Sequence, residues 1–312
     1  MSQQTIPVVD LRTFTHGDAA GRAAFAEQVG RALEETGFFA LTHHGVDPAL
    51  IRATYQTAQQ FFGLPESVKQ QYENPDLQGQ RGFTSFGKEH ARDHAAPDLK
   101  EFWHVGREGY PTYRPNLWPA EVPAFRPTLL ALFEQLDRCA AYLLEACALY
   151  LDEPADTFRG MARDGNSILR IIHYPPVPED AAPASLRAAP HEDINLITLL
   201  CEATHGGLEL LQRDGTWLPI HALEGQIIVD SGDMLQWVTN GLFKSTTHRV
   251  VNPDNSREAR YSMPFFVHPR PEVDLTPLVS CVARTAGRPV FPPITAQGYL
   301  SQRLQEIGLG RP

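Results

Sequence analysis

Three side chains in this sequence have the types and order needed to hold a redox metal: His191, Asp193 and His248. Two neutral imidazoles and one carboxylate on one face of an octahedral ion leave three positions open. That ligand set suits Fe(II), and the open positions let O₂ and an organic ligand reach the metal together. A structural zinc site would instead be closed and rich in cysteine. In an extended chain, residues two apart point the same way. If Pro190-His191-Glu192-Asp193 begins a strand, His191 and Asp193 therefore face together and Glu192 faces away. His248 must then arrive from a later strand, a gap that intervening hairpins can close. An HxD pair also arises by chance in a chain with twelve histidines, so the neighbouring chemistry decides what this one means.

That chemistry is present on two other segments. Arg260 and Ser262 are two apart in Arg260–Val267, which reads as a strand, so they share a face. A guanidinium fork beside a hydroxyl is well matched to a carboxylate. In the apolar strand Ile168–Tyr174, Arg170, Ile172 and Tyr174 fall on one face. A charge in such a strand needs a partner, and for Arg170 that is either a substrate carboxylate or an acidic residue of the protein. Glu89, Lys100, Glu101, Trp103 and His104 form a polar-aromatic stretch between helical segments and read as loop packing.

The elements that must position these residues fall into two halves. The first is mainly helical. Phe25, Val29 and Leu33 recur every four residues in a helix from about 19 to 36, and Asp47-Pro48 is an N-cap with a first-turn proline. A long helix spans about 123–151, and short strands are predicted at 6–10 and 38–42. The second half reads as closely spaced strands: 168–174, 195–201, 208–211, 217–220, 226–229, 234–238, 245–251 and 260–267. Asp214-Gly215 is a hairpin turn, and the proline cluster 175–190 is a loop. Short strands at close spacing suggest a sandwich or barrel. The predicted organisation is an N-terminal region 1–122, a long helix packing on the barrel in 123–163, a β core in 164–270 and a C-terminal extension 271–312.

Bulk properties exclude other classes. A net charge of −10 with no Lys/Arg run speaks against a nucleic-acid partner. The longest apolar runs fall well short of the roughly 20 residues of a membrane helix. The N-terminus lacks the basic start and apolar stretch of a signal peptide. Cys139, Cys147, Cys201 and Cys281 form no CxxC pair and read as buried thiols of a reducing cytoplasm.

Taken in order, these segments resemble the isopenicillin N synthase-like family of 2-oxoglutarate/Fe(II)-dependent dioxygenases. The resemblance runs from about Ile6 to Pro269. It is carried by Ile6–Leu11, Gly37-Phe38-Phe39 with His44-Gly45-Val46, Phe61–Pro65, His191–Asp193 through Leu200, and Gly232–Gln236 with Thr239-Asn240-Gly241. Lys244-Ser245, His248-Arg249-Val250 and Arg260-Tyr261-Ser262 complete it. It departs from the family pattern at His43 and Ile172, where asparagine is usual. The resemblance implies a mainly β fold, a double-stranded β-helix (jelly roll) core wrapped by N-terminal helices. It implies Fe(II) on His191, Asp193 and His248, and 2-oxoglutarate chelating that iron with its distal carboxylate on Arg260 and Ser262. Tyr174 sits where the family often hydrogen-bonds this cosubstrate. The expected reaction uses O₂ to oxidise, most simply to hydroxylate, an unactivated C–H bond of a small-molecule substrate, releasing succinate and CO₂. Two other readings stay open: a cosubstrate-free oxidase of the isopenicillin N synthase or ethylene-forming kind, and a non-catalytic ligand-binding relative. Substrate identity and oligomeric state are not legible.

Overall fold

The computed structural model describes residues 6–89, 97–177, 186–201, 203–220, 225–252 and 257–307. Twelve strands occur among them: β1 (Val8–Asp10), β2 (Phe38–Thr42), β3 (Gly82–Thr84), β4 (Glu101–Gly106), β5 (Ile168–Tyr174), β6 (Ala188–His191), β7 (Ile197–Cys201), β8 (Leu208–Leu211), β9 (Trp217–Pro219), β10 (Ile227–Ser231), β11 (His248–Val250) and β12 (Arg260–Val267). They form an eight-stranded sheet, β1-β2-β10-β7-β12-β5-β4-β3, and a four-stranded sheet, β6-β11-β8-β9. The two sheets are the walls of a jelly-roll core, and a single side-chain alternation runs through the larger one. Ile227 and Val229 of β10, Leu199 and Cys201 of β7, Met263 and Phe265 of β12 and Leu169 and Ile171 of β5 all pack outward into the helical layer. The intervening residues Asp230, Thr198, Leu200, Ser262, Pro264, Arg170 and Ile172 face the interior between the sheets. Burial on both faces explains why these strands read as nearly continuous apolar runs.

Helices Ala19–Glu35, Pro48–Phe62 and Phe125–Tyr150 cover the outer face of the large sheet. Phe25, Val29 and Leu33 are fully buried there, as are Leu129, Leu132 and Leu136. Asp18 caps the first helix by accepting from the Gly21 amide, and Asp47 caps the second by accepting from Ala49. None of the described helices is long and apolar enough to cross a membrane.

Three predicted elements differ. Residues 234–238, read as a strand, belong to the helix Asp233–Val238. Met234, Leu235 and Val238 are buried at helical spacing, and a run this short carries no decisive period. The predicted strand 245–251 shortens to β11. The polar-aromatic stretch read as a loop is largely β4, whose six residues are all buried in the large sheet between β3 and β5. Its charges are tolerated because each is paired: Lys69 Nζ lies 2.6 Å from Glu101, which also meets His173 Nδ1 at 2.7 Å. Of the proline-rich segment 175–190, residues 178–185 lie outside the described residues.

Candidate metal centre

β6 and β11 are antiparallel neighbours with His191 opposite His248, which sets the two rings 4.4 Å apart, centre to centre. Each Nδ1 meets a backbone carbonyl two residues earlier in the chain, Ala189 at 2.8 Å and Thr246 at 3.2 Å. A carbonyl can only accept, so both rings carry their proton on Nδ1 and present the Nε2 lone pair. Each Nε2 lies 3.8 Å from Asp193 Oδ1. One ligand atom from each of the three residues falls within 4.8 Å of the others, a spacing that can hold a metal ion. Burial, reinforced by the neighbouring His248, pushes the His191 imidazole down to about 4. At neutral pH this ring is therefore free of a competing proton.

Asp193 does not extend the strand as the HxD reading expected. β6 ends at His191, and the chain turns so that Asp193 rejoins it at the site. The second Asp193 oxygen accepts a short hydrogen bond from the Thr198 hydroxyl, and its backbone carbonyl accepts from the Asp233 amide at 2.7 Å. Gly232 makes this approach possible: a Cβ there would collide with the Asn195 carbonyl oxygen and sit 2.8 Å from that of Asp193. Glu192, expected to face away, accepts from the Thr247 hydroxyl and also lines the outer cavity described below. Partners that orient a ligand carboxylate in this way tune the site as much as the ligands do.

Two cavities meet at the triad. The inner one, ≈ 60 Å³, runs from His191, Asp193 and His248 to Arg260, Ser262 and Tyr174, with Ile172, Leu200 and Leu208 on its walls. Arg260 is 2 % exposed. Its Nε donates to the carbonyls of His205 (3.0 Å) and Gly206 (3.2 Å), its guanidinium carbon lies 4.9 Å from the Tyr174 ring centre, and its Nη1 has no hydrogen-bond partner among the described residues. Ser262 and Tyr174 are equally buried on the same wall. β12 and β5 place Arg260 opposite Tyr174 and Ser262 opposite Ile172.

The outer cavity, ≈ 100 Å³, shares His191, Asp193, Lys100, Arg170 and Phe266 with the inner one. Its far wall is the C-terminal helix Ala296–Glu306, through Leu300, Arg303 and Leu304. Its polar wall is a closed ion network. Both terminal nitrogens of Arg170 lie 3.0 Å from the Glu89 carboxylate, and its Nε donates to His104 Nε2 at 2.5 Å. Lys100 Nζ is 2.7 Å from Asp98 and 2.9 Å from Glu89. Burial alone would raise Glu89, yet Arg170 and Lys100 hold it well below the carboxylate range. Arg170 thus meets the acidic partner its strand position required. Asp98 also accepts from the Ala189 amide, which ties the network to the strand carrying His191.

All seven residues singled out in the sequence line this one site. Sequence reasoning missed Thr198, Asp98, Asp230 and His268. For Thr198 and Asp230 a signal was available, since each is a polar residue on the inward phase of an otherwise apolar strand.

Comparison with known proteins agrees with this geometry. Residues 165–269 match the 2OG-Fe(II) oxygenase superfamily, and residues 6–121 match the family described as non-haem dioxygenase in morphine synthesis, N-terminal. The 2-oxoglutarate-Fe(II) type oxidoreductase hxnY of Emericella nidulans is 31% identical, over 95% of this chain and 88% of that protein. Validamycin A dioxygenase of Streptomyces hygroscopicus subsp. limoneus is 32% identical, over 91% and 82%. Among solved structures, a 2OG-Fe(II) oxygenase family protein from Caulobacter crescentus superposes with a TM-score of 0.85 at 41% identity, covering 96% of this chain and 98% of that one. A full-length Neurospora crassa protein, solved in complex with alpha-KG and thymine, superposes with a TM-score of 0.88 at 28% identity, covering 97% of each. The chain belongs to the 2OG-Fe(II) oxygenase superfamily: it is a non-haem oxygenase dependent on Fe(II) and 2-oxoglutarate.

Proposed function

We propose that His191, Asp193 and His248 hold the Fe(II), that Arg260, Ser262 and Tyr174 bind the distal carboxylate of 2-oxoglutarate, and that the outer cavity takes a small organic substrate for hydroxylation at a C–H bond. The observation that carries this reading is the buried Nη1 of Arg260, without a partner among the described residues, in the cavity that ends at the triad. A buried guanidinium nitrogen without a partner is costly, and a carboxylate in that cavity supplies one. The donor set fits iron equally well, with two imidazoles, one carboxylate and no thiolate.

Iron with 2-oxoglutarate supplies the oxidising chemistry, coupling the reduction of O₂ to release of succinate and CO₂. The chain's own residues do the rest. The Thr198 hydroxyl fixes the Asp193 carboxylate, and the two backbone carbonyls fix the imidazole tautomers. Arg260 and Ser262 set how deep the cosubstrate lies. Glu89, Arg170, Lys100 and Asp98 give the outer cavity a polar wall whose charges cancel, and Leu300 and Leu304 exclude water from its far side. Arg170 therefore serves the substrate through this wall, its fork being filled by Glu89. A thymine-bound relative supports a substrate of modest size, as does the ≈ 100 Å³ cavity. Four buried free thiols support a reducing cytoplasm as the place of action.

The test is the product. With Fe(II), ascorbate and O₂, the protein should convert 2-oxoglutarate to succinate, slowly alone and faster with a substrate found by screening. Each substrate oxidised should yield one succinate. Substrate oxidation without succinate would assign the site to the cosubstrate-free oxidases instead.

A further inference from the structure

Asp230 stands apart from every other acid around the two cavities. Glu89 and Asp98 are held in ion pairs, Glu192 by Thr247 and Asp193 by Thr198. Asp230 is 5 % exposed and lines the inner cavity beside Ile228, and its carboxyl group makes no hydrogen bond to any described residue. Its backbone, in contrast, is locked on both sides, opposite Phe38 of β2 and Thr198 of β7. The side chain is thus fixed on the cavity wall with its hydrogen-bonding capacity unused. Leaving such a group buried without a partner costs stability that an apolar residue would not.

The sheet register says which end of the cavity Asp230 faces. Asp230 is opposite Thr198, the residue that holds Asp193, and Thr198 is opposite Phe266 on β12. Arg260 lies at the other end of β12, opposite Tyr174. Asp230 therefore belongs to the metal end and Arg260 to the distal end. We propose that Asp230 is a positioning residue for the cosubstrate, donating a hydrogen bond from its carboxyl group to a carboxylate oxygen at the metal-binding end of the bound 2-oxo acid. A carboxyl group buried in the cavity wall with no ion pair to any described residue is favoured in its protonated form, which can donate and does not repel an anion. The assignment rests on the reading of the inner cavity as the cosubstrate site.

The test measures binding, not turnover. The Mn(II)-loaded wild type and the variants Asp230→Asn, Asp230→Ala and Asp230→Val are titrated calorimetrically with 2-oxoglutarate and with 2-oxobutyrate, which lacks the distal carboxylate. Mn(II) affinity and thermal melting are followed alongside. The amide of Asp230→Asn keeps a donor, so its Kd should stay within about threefold of wild type. Asp230→Ala and Asp230→Val should each weaken both 2-oxo acids by about tenfold or more, at unchanged Mn(II) affinity. Either apolar variant suffices if the other fails to fold. Wild-type affinity in the apolar variants overturns the proposal, as does an equal loss in Asp230→Asn. A wild type that binds no 2-oxoglutarate overturns the cavity assignment itself.

Discussion

Asp193→Ala is expected to leave a folded protein whose 2-oxoglutarate turnover is lost, falling at least about a thousandfold. Asp193 is the only anion among the three proposed ligands and the group both imidazoles face at 3.8 Å. Removing it leaves two neutral nitrogens, a set that holds a divalent ion weakly and does not define one face for the open positions. His191→Ala should have the same consequence, because it leaves a single imidazole beside Asp193. Iron content after anaerobic loading and succinate formation under saturating Fe(II) read the two parts separately. A variant with full turnover would remove the metal assignment.

Arg260→Ala comes next in size. The guanidinium is buried, held by two backbone carbonyls at Nε, and its Nη1 has no partner among the described residues. A hydrogen bond to a charged partner contributes about 1.5–3 kcal/mol, and a guanidinium fork can make two to a carboxylate. The affinity for 2-oxoglutarate should therefore fall about a hundredfold or more. The affinity for 2-oxobutyrate should hardly change, so the preference between the two acids collapses. Arg260→Lys should recover only part, since a point charge cannot both hold the His205 and Gly206 carbonyls and reach the ligand. Unchanged 2-oxoglutarate binding in Arg260→Ala would mean that the distal carboxylate lies elsewhere. The loss at Asp230 is expected for both 2-oxo acids and that at Arg260 for one, so the pair of variants maps the two ends of the cavity.

What the sequence makes legible is what repeats along a strand. Arg260 with Ser262, and Arg170 with Tyr174, could be placed on shared faces because a strand's period of two is short and rigid. The same alternation exposes Thr198 and Asp230 as polar residues on inward positions, once it is asked of every strand and not only of those with a known motif. Less legible was the stretch from Glu89 to His104. Its charges look like those of a solvated loop, because buried acids and bases are rare unless paired. Besides Lys100, which pairs with Asp98 and Glu89 inside the stretch, their partners are far away in sequence: Arg170 for Glu89, Lys69 for Glu101, the Ala189 amide for Asp98. Only the fold brings them together. The turn at Asp193 was hidden for a similar reason. Two residues two apart can meet at a metal through a strand or through a turn, and the sequence HxD is the same in both. Gly232, whose missing side chain lets Asp193 and Asn195 approach, is a cue to the turn that can be understood only after the contact is seen.

The triad is proposed to bind Fe(II) at the head of a cavity shaped for 2-oxoglutarate. Anaerobic titration tests it most directly: Fe(II) is added to the metal-free protein, then 2-oxoglutarate, while the visible absorption is followed. The expected result is a charge-transfer band that appears only with both components, saturates at one equivalent of each, and is absent from His248→Ala. Iron bound at one equivalent with no band at saturating 2-oxoglutarate, or an undiminished band in His248→Ala, would contradict it.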